Sequence, residues 1–193
     1  IQGEGGVLPM DQAFVQELAA FCDSNDVLLI VDEVQTGVGR TGSFYCYQQY
    51  GILPDLVSSA KGLAGGLPVG ACLAGRKCAD VMGPGDHGST FGGNPVVCAG
   101  AQVVIRRVST PSFLHEVKEK GEYMRSRLEA MPAISEVRGM GMMLGAKPKE
   151  GKAGDIAAKC VDAGLLILTA KDVLRFLPPL TISHEEIDQG LSI

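Results

Sequence analysis

Little in this 193-residue chain suits it to a nucleic acid, a membrane or a metal. Basic residues are not in excess: 17 Lys and Arg stand against 22 Asp and Glu, a net charge of −5, and the cations are scattered. A nucleic-acid or anionic-membrane partner is therefore not expected. Histidine is scarce. His87, His115 and His184 lie far apart at no ligand spacing, and Cys22, Cys46, Cys72, Cys78, Cys98 and Cys160 contain no CxxC pair. No zinc site is expected from them. Most of the cysteines sit in apolar runs and read as reduced, small core residues of a cytoplasmic protein. No apolar run approaches the ~18 residues of a membrane-spanning helix, and repeats and low-complexity stretches are missing. Glycine, by contrast, is plentiful: 26 residues, above the usual ~7%. Many lie in turns between apolar runs, as in an α/β protein whose backbone approaches a ligand closely.

Taken in order, the pattern is that of α/β units followed by a mixed tail. Pro9 and Asp11 open a helix in which Phe14, Leu18, Phe21 and Cys22 share a face, and Asp23–Asp26 stop it. Val27–Val31 is a continuous apolar run, the pattern of a strand buried on both faces of a parallel sheet. Thr36–Gly42 reads as a loop and Ser43–Tyr50 as one or two helical turns. Asp55–Ser59 and Val69–Ala74 read as strands, Arg76–Met82 as a short helix, and Gly83–Asn94 as a polar, Gly-rich loop of the functional kind. Asn94-Pro95 opens a helix to about Arg107. Ser109-Thr110-Pro111 marks a domain boundary, giving domains 1–110 and 111–193. Beyond it come a long amphipathic helix with Leu114, Val117, Gly121, Met124, Leu128 and Met131 on one face, and strands at Ile134–Arg138 and Met142–Ala146. A helix at Gly154–Ala163, strands at Leu165–Leu168 and Val173–Leu177, and a capping box at Ser183 and Glu186 complete the tail.

The chemistry concentrates in Leu28–Lys61, LLIVDEVQTGVGRTGSFYCYQQYGILPDLVSSAK. Asp32 ends one apolar run, and Lys61 follows a second. Ligands of open α/β sheets bind beyond the carboxyl ends of the strands. An acid and a lysine at two such ends are what a pyridoxal 5'-phosphate (PLP) site needs. The lysine forms a Schiff base, and the acid keeps the pyridine nitrogen protonated so that the ring withdraws electrons. A nucleophilic lysine must also be partly desolvated, which the apolar, glycine-rich neighbours of Lys61 permit. Singly, Asp32 could be a turn cap and Lys61 a surface charge; the pairing carries the reading.

Two other motifs compete for the same stretch. Gly37-x-Gly39-x-x-Gly42 has dinucleotide-fingerprint spacing, but Asp32–Thr36 intervene after the strand and no long helix follows. Ser58-x-x-Lys61 has the spacing of a penicillin-binding acyl-enzyme motif, yet no Ser-Asp-Asn occurs and the one KTG-like triplet, Arg40-Thr41-Gly42, precedes it. Elsewhere, Ser89-Thr90 could offer hydroxyls and N–H groups to a phosphate, or be turn residues. Arg175, in VLRFLPP, is either a strand-edge charge or an inward carboxylate clamp, with Glu4 as its ion-pair partner or merely a turn acid.

The blocks IVDEVQTGVGRTG, DLVSSAKGLAGGLPVGA, HGSTFGGNP and VLRFLPPL resemble, in order and over most of the chain, the class III (subgroup II) PLP-dependent aminotransferases of fold type I. Within the class, IQGEGG together with GLLILTA and VLRFLPPLTIS is most similar to bacterial enzymes acting on acetylornithine. The resemblance implies that Lys61 bonds the cofactor and shuttles a proton, that Asp32 binds the pyridine nitrogen, that Val34 packs on the ring and that Gln35 bonds the phenolic oxygen. It implies a homodimer in which Thr90, with Ser89 beside it, serves the neighbouring subunit's cofactor phosphate. Arg175 would hold the substrate carboxylate, gated by Glu4. Amino-acid and 2-oxo-acid substrates would follow, 2-oxoglutarate among them. Ornithine, succinylornithine and 4-aminobutyrate aminotransferases share nearly all these residues, and an aminomutase uses the same site architecture. A non-catalytic remnant that only pairs with other subunits is the reading from another class.

The chain opens at Ile1 within the motif IQGEGG and closes at GLSI in a helical pattern. The expectation is a piece of a longer chain. Residues 1–110 would be the second half of a large PLP-binding domain and 111–193 a small, truncated C-terminal domain. By itself such a piece should expose apolar surface and bind PLP weakly.

Overall fold

The computed structural model describes residues 1–193. It divides into two compact units, one of Asp11–Gly39 with Ser43–Leu114, the other of Ile1–Met10, Arg40–Gly42 and His115–Ile193. These are not the two continuous stretches expected. The division falls at residue 115, and the first ten residues join the C-terminal unit because Val7, fully buried, packs with Met143, Ala170 and Val173.

In the first unit, helix α1 (Gln12–Ser24) begins where Asp11 Oδ1 accepts from Phe14 N at 2.9 Å. Strand β1 (Ile30–Asp32) pairs in parallel with β2 (Leu56–Ser59), which pairs antiparallel with β3 (Ala71–Ala74), in the order β1-β2-β3. β1 starts three residues later than the apolar run. Leu29 N donates to the Asp55 side chain instead, and the Leu29 carbonyl accepts from Asp55 N and Leu56 N. Nor is β1 buried on both faces: Ile30 is 63% exposed. It is an edge strand, and within the unit no element covers that face; Phe14 and Phe21 of α1 are exposed too. The core lies elsewhere, where Val38 and Leu63 meet Val108 of α2 (Pro95–Val108). Asn94 caps α2 through Val96 N at 2.9 Å, and Pro95 fills its first position. The helix expected at Arg76–Met82 shrinks to a 3-10 turn, Arg76–Cys78, ahead of Gly83-Pro84. Only Cys22 and Cys46 are buried; Cys72 is exposed because β3 has no covered face, and all six thiols are free.

In the C-terminal unit a wholly antiparallel sheet has the order β4-β5-β7-β6, from β4 (Ile134–Met140), β5 (Met143–Pro148), β6 (Leu168–Ala170) and β7 (Val173–Phe176). Helix α3 (Pro111–Glu129) buries Val117, Gly121, Met124 and Leu128, the face its spacing predicts. Gly121 is needed there, since a Cβ would sit 2.5 Å from the Gly141 carbonyl oxygen. Successive residues of β7 face opposite ways. Val173 joins the Val7 cluster, and Leu174 meets Ala153 and Ala157 of α4 (Ala153–Asp162). Each such fully buried aliphatic chain contributes about 1.5–3 kcal/mol. β6 begins at Leu168, not Leu165. The end of α4 consumes the intervening residues: Gly164 N bonds Val161 O and Leu165 N bonds Cys160 O, a closure that needs the left-handed φ of +96° at Gly164. Helix α5 (His184–Ser192) starts on the reciprocal bonds of Ser183 and Glu186. No helix is long and apolar enough to cross a membrane.

Candidate active site at the ends of two parallel strands

The β1–β2 register sets Asp32 opposite Ser58. Because the pair is parallel, Lys61, three residues past Ser58, emerges from the same end of the sheet as Asp32. Ser58 Oγ donates to Asp32 Oδ1 at 3.1 Å, and Val34 N donates to the same oxygen at 2.9 Å. Both bonds use Oδ1, which leaves Oδ2 for a ligand. Asp32 is exposed.

Lys61 opens a 3-10 turn, Lys61–Ala64, with φ of +50°. Holding a non-glycine residue there costs about 1 kcal/mol or more, and such strain gathers at functional sites. The turn is fixed by Leu63 N to Ala60 O at 3.1 Å and by burial of Leu63 and Ala64. Turning those two inward turns Lys61 outward. The expected desolvation of the lysine is thus not found: within its unit Lys61 is exposed.

Sequence reasoning passed over Glu33, which has no solvent exposure. Its Oε2 accepts from Thr36 Oγ1 at 2.5 Å and its Oε1 from Tyr47 N at 2.7 Å. Its backbone is engaged as well, through Glu33 N to Ser58 O and Gly37 N to Glu33 O. Between these anchors stand Val34 and Gln35, both half-buried. Burial, then the nearby charges of Glu33 and Tyr45, pushes the Tyr47 phenol above its ordinary value. The only sequence signal for Glu33 was its place next to Asp32.

Ser89 and Thr90 are exposed in the loop before α2. Ser89 lines an open cavity of about 600 Å³ with His87, Phe91 and Val97.

In the C-terminal unit Arg175 is only 8% exposed and lies on β7, between β5 and β6, so it is no strand-edge charge. Its Nη1 donates to Glu4 Oε1 at 2.5 Å, and its buried Nε has no partner. Glu4 is 77% exposed. Arg40, also missed, donates to the carbonyls of Met142 and Pro178 at 3.1 and 2.6 Å, and burial pushes its pKa down to about 10. It thereby pins the segment that follows β7. No three His, Cys, Asp or Glu side chains are grouped to hold a metal.

The donor set is chemically matched to PLP: a carboxylate for the pyridine nitrogen, an amine for the aldehyde, an amide for the phenolic oxygen. The family profile described as aminotransferase class-III matches residues 1–193. The chain belongs to the class-III aminotransferase family. An acetylornithine aminotransferase of Haemophilus ducreyi is 47% identical over all of this chain and 49% of its own length. A succinylornithine transaminase of Citrobacter koseri is also 47% identical, over 99% of this chain and 49% of its own. Among solved structures, an ornithine aminotransferase of Toxoplasma gondii, crystallised with oxidised glutathione and described as having PLP at partial occupancy in its active site, is 34% identical with a TM-score of 0.89. That match covers 100% of this chain and 48% of the other. The chain spans about half the length of the curated relatives it matches.

Proposed function

We propose that the protein to which this chain belongs is a PLP-dependent aminotransferase that moves an amino group from acetylornithine to 2-oxoglutarate, giving N-acetylglutamate semialdehyde and glutamate for arginine synthesis. The observation that carries this reading is the pairing of Asp32 and Lys61 at the carboxyl ends of neighbouring parallel strands, in a chain of this family. PLP, when bound, supplies a carbonyl that takes up amino groups and an electron-poor ring that draws on the Cα–H bonding pair.

The chain's own residues do the rest. Asp32 Oδ2 would hold a proton on the ring nitrogen, while Ser58 and Val34 N fix the carboxylate through Oδ1. Lys61 Nζ would hold the cofactor through its aldehyde and, once displaced by the incoming amine, would be free to carry the proton taken from the substrate Cα. Val34 would pack against the ring, Gln35 would donate to the phenolic oxygen, and Thr90, with Ser89, would serve the phosphate of a partner subunit in a cytoplasmic homodimer. Arg175 holds the substrate carboxylate in its guanidinium fork, and Glu4 occupies that fork when substrate is absent.

Succinylornithine is the second reading, favoured by a relative equal in identity. The test is an assay of the full-length protein with 2-oxoglutarate and each of acetylornithine, succinylornithine, ornithine and 4-aminobutyrate. The highest kcat/KM with acetylornithine supports the proposal. A preference for another donor reassigns the substrate, and no transamination with any supports a non-catalytic role.

A further inference from the structure

We propose that Glu33 is a positioning residue for the cofactor-facing turn, setting the side chains of Val34 and Gln35 without touching the cofactor itself. The proposal rests on the reading that this unit holds PLP. A carboxylate with no solvent exposure is costly unless it is fully bonded. This one is bonded at both oxygens, to Thr36 Oγ1 at 2.5 Å and Tyr47 N at 2.7 Å. The two partners lie on opposite sides of the loop Thr36–Tyr47, and the backbone of Glu33 is tied to Ser58 and Gly37. A single side chain therefore closes the loop onto the strand end that carries Asp32.

Val34 and Gln35 fall between the anchored residues, with their backbone direction set from both sides. Val34 N is in turn the second donor to Asp32 Oδ1. Rotation of this turn would alter three candidate ring contacts together: those of Asp32, Val34 and Gln35. Displacements of about 1 Å in such supporting residues cost up to about 100-fold in function.

The test uses the full-length protein loaded with PLP, at temperatures well below unfolding. Two readouts are the Kd for PLP and the pH midpoint of the bound cofactor's absorbance. A side chain that only stabilised the fold would lower the Tm and leave both unmoved. Glu33→Gln can accept from Tyr47 N through Oε1 and donate to Thr36 Oγ1 through Nε2, so it should match the wild type in both. Glu33→Ala should raise the Kd about 10- to 100-fold and displace the midpoint. Thr36→Val, nearly isosteric, should move both readouts in the same direction, and it serves if Glu33→Ala does not fold. Wild-type values in Thr36→Val or in folded Glu33→Ala would overturn the proposal. So would equal losses in Glu33→Gln and Glu33→Ala, which would point to charge rather than position. A wild-type protein that binds no PLP would instead overturn the PLP reading, and this proposal with it.

Discussion

Asp32 and Ser58 are register partners across the parallel β1–β2 pair, and the serine hydroxyl donates to the aspartate at 3.1 Å. One oxygen of Asp32 is thus fixed by two donors, and on the proposed reading the other would take the ring nitrogen. Replacing Ser58 with Ala removes one donor and keeps Val34 N. A net hydrogen bond is worth about 0.5–1.5 kcal/mol, so the Kd for PLP should rise about 2- to 10-fold in the full-length protein. A fluorescence titration checks this, and an unchanged Kd would show that Val34 N suffices.

On the proposed mechanism, Lys61→Ala should lower transamination by more than about 10³-fold, since it would remove both the covalent anchor and the proton carrier. Borohydride reduction of the wild type should fix PLP to Lys61, which peptide mass spectrometry detects. Turnover retained in the variant would remove Lys61 from the mechanism.

Arg175 and Glu4 should affect substrate handling more than cofactor binding. Arg175→Lys keeps the charge but loses the planar fork, so KM for 2-oxoglutarate should rise about 10-fold or more with the Kd for PLP unchanged. Glu4→Gln removes a competing carboxylate from the same fork and should lower that KM. Steady-state kinetics of the two variants, moving in opposite directions, is the check.

Gly121→Ala should destabilise the C-terminal unit by about 1–3 kcal/mol. The added methyl would lie 2.5 Å from the carbonyl oxygen of Gly141, a backbone atom that cannot swing aside. Chemical denaturation of the full-length protein measures the loss.

A hydrogen bond from Lys147, then its own backbone bond and the charges of Lys147 and Arg138, holds the Asp172 carboxyl below the usual carboxylate range despite an opposing desolvation effect. A carboxyl whose folded pKa is lowered stabilises the fold above its unfolded pKa, near 4, and loses that effect as the pH falls through the folded value. The wild type should therefore outlast Asp172→Asn at pH 7, and the difference should begin to shrink near pH 4 and vanish only once the pH has fallen below the lower, folded value. Denaturation midpoints of both proteins across this range provide the measurement. A pH-independent difference would mean that the carboxylate's charge contributes nothing.

Local pattern was legible wherever one residue's chemistry settles the matter. Asp11, Asn94-Pro95 and Ser183 with Glu186 mark helix starts because they satisfy free N–H groups. The α3 face was legible because its period is set by the helix alone. Strand starts were less so. Val27–Val31 is apolar throughout, but Leu29 is drawn to Asp55, 26 positions on, and no local window contains that contact. Leu165 was claimed by the helix closure at Gly164. In the site, Asp32 and Lys61 could be paired because each follows an apolar run. Glu33 could not be singled out, since its partner Tyr47 lies across a loop whose path no spacing rule gives. Arg40 was missed for the same reason, with partners more than a hundred residues away.

Val7, with no solvent exposure at the centre of the Met143, Ala170 and Val173 cluster, bears on how this fold can be inherited and rearranged. A crossover near Ser109, where the chain looks most divisible, would pass on the whole antiparallel sheet while leaving behind a side chain from its interior. Exchange of the C-terminal unit between homologues must therefore carry two distant stretches of gene at once. Chimaeras that respect only the visible linker should set the other parent's residue at position 7 against a Met143, Ala170 and Val173 it did not evolve with.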